Sequence, residues 1–509
     1  KKRLNYYTIE VYDKNINKVR GIKNFLEKIL NKWFKFYLFC IYRKVLRKNF
    51  LMKKRIYSLL EVKSRELHGK ILFSIQMANK GYSVVIGKKR SLYENAKFFQ
   101  KGVFLFKGMG PKNIKPMQKL KELGHKIVGF DEEGLVMNMR DIMPLRVNKT
   151  CFNLVEYFFT VGNFQKQRTL KCYPNKHKKI VSTGNLRFDL MKKPLKSLYN
   201  DSVEEIKKKY GKFIFFPTKF TILNNFEAEK KHFIKVINQK NTKGPSYKKS
   251  YKVDFDEQTK IQNKLHKFFN YFPKKYPDIK ILIKKHPAER KEYWLDLVKR
   301  INCKNLIIAD DKYPTNAYIL AAEFNVGSNC HTSLESYLFS KPTINWLPDK
   351  KESYLTYQAI KAVSKEILNY KELEKICNEW FLKNKKFKNK ITVEKKKILN
   401  NQIENINKYS ANIQKKYFDK IVLDDKGSHD KYSNTIYLFL LDSLRKLKNI
   451  YYSFKADKKS KEYYRQKFEG LDLKEYSFLI KKFCKLMNLN YNDYVIKELY
   501  PGCYNIEKK

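Results

Sequence analysis

Between residues 56 and 346, short apolar runs alternate with amphipathic segments, and this alternation restricts the fold more than any other feature of the chain. Strand-length apolar runs occur at 56–60, 82–86, 103–106, 126–130, 157–161 and 179–182. Between the first two, residues 66–80 place Leu67, Ile71, Ile75 and Ala78 on one helical face and stop at Gly81. A second helix over 116–123 stops at Gly124. Strands that alternate with helices imply βαβ units and a parallel sheet.

A second series follows, with strands expected at 212–216, 279–283, 306–309 and 343–346 and helices at 203–210, 260–271, 293–301 and 315–322. Residues 239–259 are polar, Lys-rich and contain Gly244-Pro245, which reads as a mobile surface loop. The expected organisation is α/β, with two facing Rossmann-like domains over 52–190 and 191–370. Residues 371–509 form a mostly helical C-terminal extension. Ligands of such sheets bind at the carboxyl ends of strands, so informative residues should stand just after strands.

Composition sets broader limits. The chain has 509 residues, 43% hydrophobic and 15% aromatic, enough for real cores and against global disorder. Its formal net charge is +59. Nucleic acid, an anionic membrane surface or acidic substrates would suit that charge. An AT-rich genome gives the same excess of Lys, Asn, Ile, Tyr and Phe without any such partner. The eight cysteines, Cys40, Cys151, Cys172, Cys303, Cys330, Cys377, Cys484 and Cys503, include no CxxC pair, so neither a zinc ribbon nor a redox motif is indicated. A reduced, cytoplasmic setting is expected. No apolar run approaches the roughly 18–20 residues that span a bilayer. Residues 1–51 are basic and aromatic, and the apolar stretch 33–42 would suit an interfacial helix. Met52, followed by Lys53, Lys54 and Arg55 and then a strand, marks the expected natural start, which leaves 1–51 as an extension outside the natural protein.

Five stretches carry candidate chemistry. Asp131-Glu132-Glu133 follows the strand ending at Phe130. Adjacent carboxylates there suit a general base, because like charges raise one proton affinity toward a useful range; the plainer alternative is an acidic turn. His286-Pro287-Ala288-Glu289 follows the strand at 279–283. Pro287 can open a helix, Glu289 suits its dipole, and His286 would face the cleft. Thr183-Gly184-Asn185 with Arg187 and Asp189 joins the two units: either Asn185 and Arg187 reach an anion, or the stretch is a hinge with Arg187 paired to Asp189. The stretch 158–165, with Gly162, is again a strand, a glycine and a helix start: it reads as a plain strand–helix turn, with a phosphate or acceptor contact as the alternative. In 323–342 a strand, a small polar loop and a helix succeed one another. Thr332 and Glu335 fit a capping box. The run Ser328-Asn329-Cys330-His331 is left for an anion at the helix N-terminus. No P-loop, nucleophile elbow, HExxH or strand-end DxD occurs, so chemistry without a metal or cofactor is expected.

In this order along residues 52–509, the motifs resemble those of bacterial surface carbohydrate biosynthesis proteins. These are similar to GT-B glycosyltransferases and, more distantly, to CDP-glycerol glycerophosphotransferases. The resemblance rests on 56–61, Arg65-Glu66-Leu67, Asp131-Glu132-Glu133-Gly134-Leu135, 183–190, His286-Pro287-Ala288-Glu289, 330–336, 425–428 and 468–472. Leu186, Lys284, Ala288 and His331 depart from the family pattern. The resemblance implies a GT-B-like fold with the acceptor on the first domain, the donor on the second, and the tail bracing both. It implies transfer of a sugar from a nucleotide-activated donor to a surface polysaccharide or lipid-linked glycan. Asp131, Glu132 or Glu133 would be the base. Asn185, Arg187, Lys284, His286, Glu289, Ser328, Thr332, Ser333 and Glu335 would serve the donor, with Glu335 either on the ribose or only capping its helix. The expected setting is cytoplasmic with peripheral contact to an anionic membrane, and no nucleic acid is expected. The alternatives are a polyol-phosphate transferase of teichoic-acid type and a non-catalytic basic protein that binds nucleic acid or anionic membrane.

Overall fold

The structure is a computed structural model, and it describes residues 53–136, 146–224, 245–349, 357–423 and 470–509. The expectations for 1–51 and for 425–428, and most of that for 468–472, lie outside these residues. Lys54–Lys509 form one compact unit.

The first sheet is built from β1 (Arg55–Leu60), β2 (Ser83–Lys88), β3 (Val103–Lys107), β4 (Lys126–Phe130), β5 (Tyr157–Thr160) and β6 (Ile180–Ser182), all parallel in the order β2-β1-β3-β4-β5-β6. Every residue of β1 is buried, as a central parallel strand requires when both faces are covered. The second sheet contains β7 (Phe213–Pro217), β8 (Lys280–Lys284), β9 (Leu306–Ile308), β10 (Phe324–Gly327), β11 (Thr343–Trp346) and β12 (Lys365–Ile367). Its parallel order is β12-β11-β10-β7-β8-β9, so the chain reverses direction of travel across the sheet between β7 and β10. That is the doubly wound Rossmann order, with its ligand-binding crevice at the reversal. The expected GT-B-like pair of Rossmann-like sheets is therefore the architecture of the chain.

The tail differs from the expectation. Among the described residues it holds helices Tyr370–Phe381, Val393–Gln402, Ser410–Asp419 and Leu473–Leu486, but it ends in a hairpin of β13 (Tyr494–Tyr500) and β14 (Cys503–Lys508). β14 runs antiparallel beside β2, so the last residues extend the first sheet. The second correction concerns 239–259. A helix runs from Pro245 to Lys275, while 239–244 lie outside the described residues. Lysine is a good helix former, and proline is accommodated in a first helical turn, so polarity alone did not mark a loop there.

The apolar face of helix Lys63–Ala78 is buried as its spacing predicts, with Leu67, Ile71, Ile75 and Ala78 all in the core. One apolar cluster joins β1 residue Ile56, β7 residues Phe213 and Phe215, Leu334 beneath β10, and the tail residues Phe418 and Tyr476. The tail is thus part of the core rather than an appendage. Burying one such phenylalanine is worth about 1.5–3 kcal/mol.

Gly162 and Gly184 explain why glycine stands at the two first-half turns. A Cβ on Gly162 would lie 2.3 Å from the Gln402 backbone, and one on Gly184, which has φ +84°, would lie 2.2 Å from the Asn405 side chain. The tail presses directly on both.

Candidate functional site

The loops that follow β7, β8 and β10 meet at the reversal in the second sheet. After β7 come Thr218 and Lys219. After β8 comes His286, and after β10 come Ser328, Asn329 and the helix His331–Leu338. Thr218, Lys219, Ser328 and Asn329 line a cavity floored by Phe216, Val326 and Trp346. Asn329 makes the tight turn with φ +45°, and its N–H donates to Asn345 Oδ1 at 2.8 Å.

The helix starts two residues earlier than a capping box with Thr332 at the cap would need. Its cap position is Cys330, which offers no side-chain cap bond. Thr332 lies inside the helix with its hydroxyl 3.2 Å from Cys330 Sγ. The expected capping box does not form, so Glu335 is not held by it. Glu335 instead receives a hydrogen bond from Arg187, an ion pair in which 4% of the Glu335 side chain is exposed. This pair ties the first half of the chain to the second. The expected alternative partner of Arg187, Asp189, is taken by Lys192, Asn405 and Ser410.

His286 is placed by its own loop. Its N–H donates to Thr218 Oγ1 at 3.1 Å, and its Nδ1 accepts from the Ala288 N–H at 3.1 Å. With Nδ1 an acceptor, the ring carries its proton on Nε2. Burial pushes its pKa down to about 4, aided by Arg65 and Lys219 and opposed by Glu133. Burial likewise lowers His331 to about 3, with Lys219 and Arg187 adding to it and Glu133 opposing. Both rings are therefore neutral at pH 7. His331 stacks on Tyr357 at 5.6 Å, and its Nε2 is buried without a hydrogen-bond partner among the described residues. Lys219 Nζ donates to the Asn329 carbonyl and Tyr357 hydroxyl, each at 3.3 Å.

Two expected donor residues point elsewhere. Lys284 donates to the Asp310 carbonyl at 2.7 Å and to Asp311 at 3.1 Å, at the end of β9. As the last residue of β8 it is drawn sideways by these acceptors, away from the reversal. Glu289 is fully buried beneath the loop. It accepts from the Phe220 N–H at 2.7 Å, Trp294 Nε1 at 2.8 Å and the Thr218 hydroxyl at 2.9 Å. Burial raises its pKa to about 6 despite these donors. Its place is to hold the Thr218–Phe220 turn against His286. No helix opens at Pro287 either; the next one begins at Lys291. Ser333 is buried, with its N–H turned back to the Cys330 carbonyl at 3.0 Å.

The carboxylates after β4 are individually distinct. Asp131 is buried and doubly bonded by Arg146, at 2.6 and 3.0 Å. Glu132 sits between Lys70 at 3.4 Å and Lys107 at 3.6 Å, and its Oε2 is buried without a hydrogen bond among the described residues. Glu133 is 47% exposed, with Arg65 at 3.3 Å and Arg146 at 3.5 Å. Burial raises the Glu133 pKa, but Arg146, Arg65, Lys107 and His331 outweigh it and bring it down to about 2. The like-charge expectation of a raised carboxylate does not hold at Glu133, because two arginines lie within 3.5 Å of it. Asn185 is drawn into structural work. It caps helix Leu186–Asp189, donates to the Glu132 carbonyl at 3.0 Å, and clasps Asn405 of the tail through its N–H at 3.0 Å and its carbonyl at 2.9 Å.

Sequence reasoning passed over Lys219, Thr218, Arg146, Lys70 and Lys107. Thr218 and Lys219 directly follow a strand, the very position where ligand residues of such sheets stand, and that signal was available. Arg146 was not legible, since it reaches Asp131 from 15 residues away.

No protein-family model matches the chain, and no curated protein matches it. Among solved structures, the UDP-GlcNAc 2-epimerase of Methanocaldococcus jannaschii is 14% identical, with a TM-score of 0.44 over 72% of this chain and 99% of its own. The UDP-GlcNAc 2-epimerase of Neisseria meningitidis, bound to UDP-GlcNAc, is 12% identical with a TM-score of 0.45 over 72% of this chain and all of its own. That of Rickettsia bellii is 10% identical with a TM-score of 0.42 over 72% and 98%. Overlap this loose carries nothing beyond itself; the strand orders establish the fold.

Proposed function

We propose that the protein transfers a sugar from a nucleotide-activated donor to a hydroxyl of a surface glycan or lipid-linked acceptor. The observation that carries this reading is the convergence at the reversal of the second sheet. Lys219, the Nε2–H of neutral His286 and the first amides of helix His331–Leu338 gather there, with Glu133 and Arg65 opposite. A diphosphate would meet a fixed positive charge, a neutral donor and a helix dipole without reorganisation. Arg187 adds charge beside the leaving group.

Glu133 is the base in this reading, because it is exposed to the cleft and lies near both histidines. The donor's negative charge beside it would raise its proton affinity from the value in the free protein. The acceptor oxygen forms its bond to the anomeric carbon as the bond to the diphosphate breaks. The hydroxyl proton passes to Glu133, and the nucleoside diphosphate leaves with the electron pair.

An uncharged acceptor fits better than a phosphate chain. Around the carboxyl ends of β1 and β3, Lys70, Lys89 and Lys107 are balanced by Glu61, Glu66 and Glu132. A balanced set offers donors and acceptors to hydroxyls but no net attraction to a polyanion.

Calorimetric titration with CMP-, CDP-, UDP- and GDP-linked sugars tests the reading, using the wild type, His286→Ala and Lys219→Ala. One nucleotide class should bind, and each variant should weaken it by about tenfold or more, the scale of one charge-assisted hydrogen bond. Absence of any nucleotide binding, or equal binding by both variants, overturns it. Salt-sensitive DNA binding without nucleotide-sugar binding would favour the basic-binder alternative.

A further inference from the structure

A lysine-rich stretch lies at the opposite strand ends from the carboxyl-end site, over residues 382–398. Eight lysines stand there, Lys383, Lys385, Lys386, Lys388, Lys390, Lys395, Lys396 and Lys397, against one acid, Glu394. The whole chain has 109 basic residues to 50 acidic, so the local ratio is about four times that of the chain, and here it coincides with exposed aliphatic side chains. All eight lysines except the half-buried Lys395 are exposed. The same stretch exposes three aliphatic side chains, Leu382 at 65%, Val393 at 66% and Ile398 at 37%.

The stretch is held rather than loose. Phe387 packs on Phe324 at 5.7 Å and Trp380 at 5.2 Å. Asn389 clasps Thr343 from both sides, accepting from its N–H at 2.7 Å and donating to its carbonyl at 2.9 Å. Thr392 caps helix Val393–Gln402 by accepting the Lys395 N–H at 3.3 Å. These anchors fix a basic ridge at the amino ends of β10 and β11. Lys341 beside it feels the like charges of Lys207 and Lys386, with Glu323 as the opposing charge.

We propose that the ridge 382–398 docks the protein on an anionic lipid bilayer. Lysines at a negative surface are attracted without any fixed geometry, and exposed aliphatic side chains among them can enter the acyl boundary. Nucleic acid is a poorer match. The ridge has no arginine for bidentate phosphate contact, and its one aromatic residue, Phe387, is committed to the core. No described helix is long and apolar enough to cross a membrane, so the contact is peripheral.

Co-sedimentation of the full chain tests this with vesicles of phosphatidylglycerol and phosphatidylcholine, and of phosphatidylcholine alone, at physiological salt. One variant carries Lys383→Gln, Lys385→Gln, Lys388→Gln and Lys390→Gln. A second carries Leu382→Ser, Val393→Ser and Ile398→Ser. A control neutralises Lys267, Lys274, Lys299 and Lys304, exposed lysines in the region where Asp278, Glu292 and Asp296 intersperse acidic charge. The wild type should bind only the anionic vesicles. The lysine variant should lose about tenfold or more and the aliphatic variant about threefold, while the control stays near wild type. Equal loss in the control would mean diffuse charge and would overturn the proposal. So would loss of duplex DNA binding in the lysine variant with vesicle binding intact. Hydrogen exchange on the wild type gives a readout without substitution: anionic vesicles should protect amides within 382–398, and absence of that protection also overturns it.

Discussion

Glu289 offers a quantitative test of how the donor-side loop is held. It is a fully buried carboxylate whose pKa rises from 4.5 to about 6 on folding, chiefly through burial, so the native state binds more protons than the unfolded chain between these values. Stability must then fall as pH rises through that window and level off above it. The shift of about 1.5 units corresponds to about 2 kcal/mol. Glu289→Gln has no charge to bury. The Phe220 N–H goes to one carboxylate oxygen and Trp294 Nε1 to the other, so the single carbonyl of a glutamine keeps one of these bonds while its amide faces the other donor; that cost, about 1–3 kcal/mol, is the same at every pH and cancels between pH values. Because one apolar cluster runs through both halves, urea unfolding should be a single transition. The difference in unfolding free energy, wild type minus variant, should therefore be larger at pH 4 than at pH 7 by about 2 kcal/mol. A flat difference across that range, or one of opposite sign, would refute the assignment of a buried, protonatable Glu289. Glu289→Ala is a different perturbation. It strips the acceptor from three buried donors at about 1–3 kcal/mol each and should unfold the loop outright.

Two further tests address other contacts. Arg187→Ala should cost about 3–5 kcal/mol in urea unfolding, because it leaves Glu335 buried and unpaired; adding Glu335→Gln should recover part of that loss, whereas no recovery would show that the pair is not the cause. Thr343→Val removes a buried hydroxyl that has no hydrogen-bond partner among the described residues, so it should be neutral or stabilise by up to about 1 kcal/mol in the same assay. A clear loss there would mean that an ordered water satisfies the hydroxyl.

The strands and their helices were legible because burial on both faces of a parallel sheet leaves apolar runs that sequence displays directly. Ile56–Leu60 and the Leu67, Ile71, Ile75, Ala78 face needed no tertiary information. The terminal hairpin was missed because β14 is held by pairing with β2, more than 400 residues earlier in the chain, and β13 is held by β14 in turn. The candidate site was legible in location and only partly in detail. Strand ends marked His286, the loop 328–333 and the carboxylates 131–133. They could not say that Lys284 turns to Asp310 and Asp311, that Glu289 faces inward, or that Asn185 is taken by Asn405.

The sequence by itself determined the alternation of strands and helices, and with it two parallel sheets whose loops gather at their carboxyl ends. Apolar periodicity is a local property, and burial enforces it residue by residue. Only the tertiary structure decided which polar residues face the cleft. Side-chain direction depends on partners distant in the chain: Arg187 with Glu335, Arg146 with Asp131, and Asn405 with Asn185. A polar group is placed by its partner, and for these three pairs the partner stands outside the local sequence.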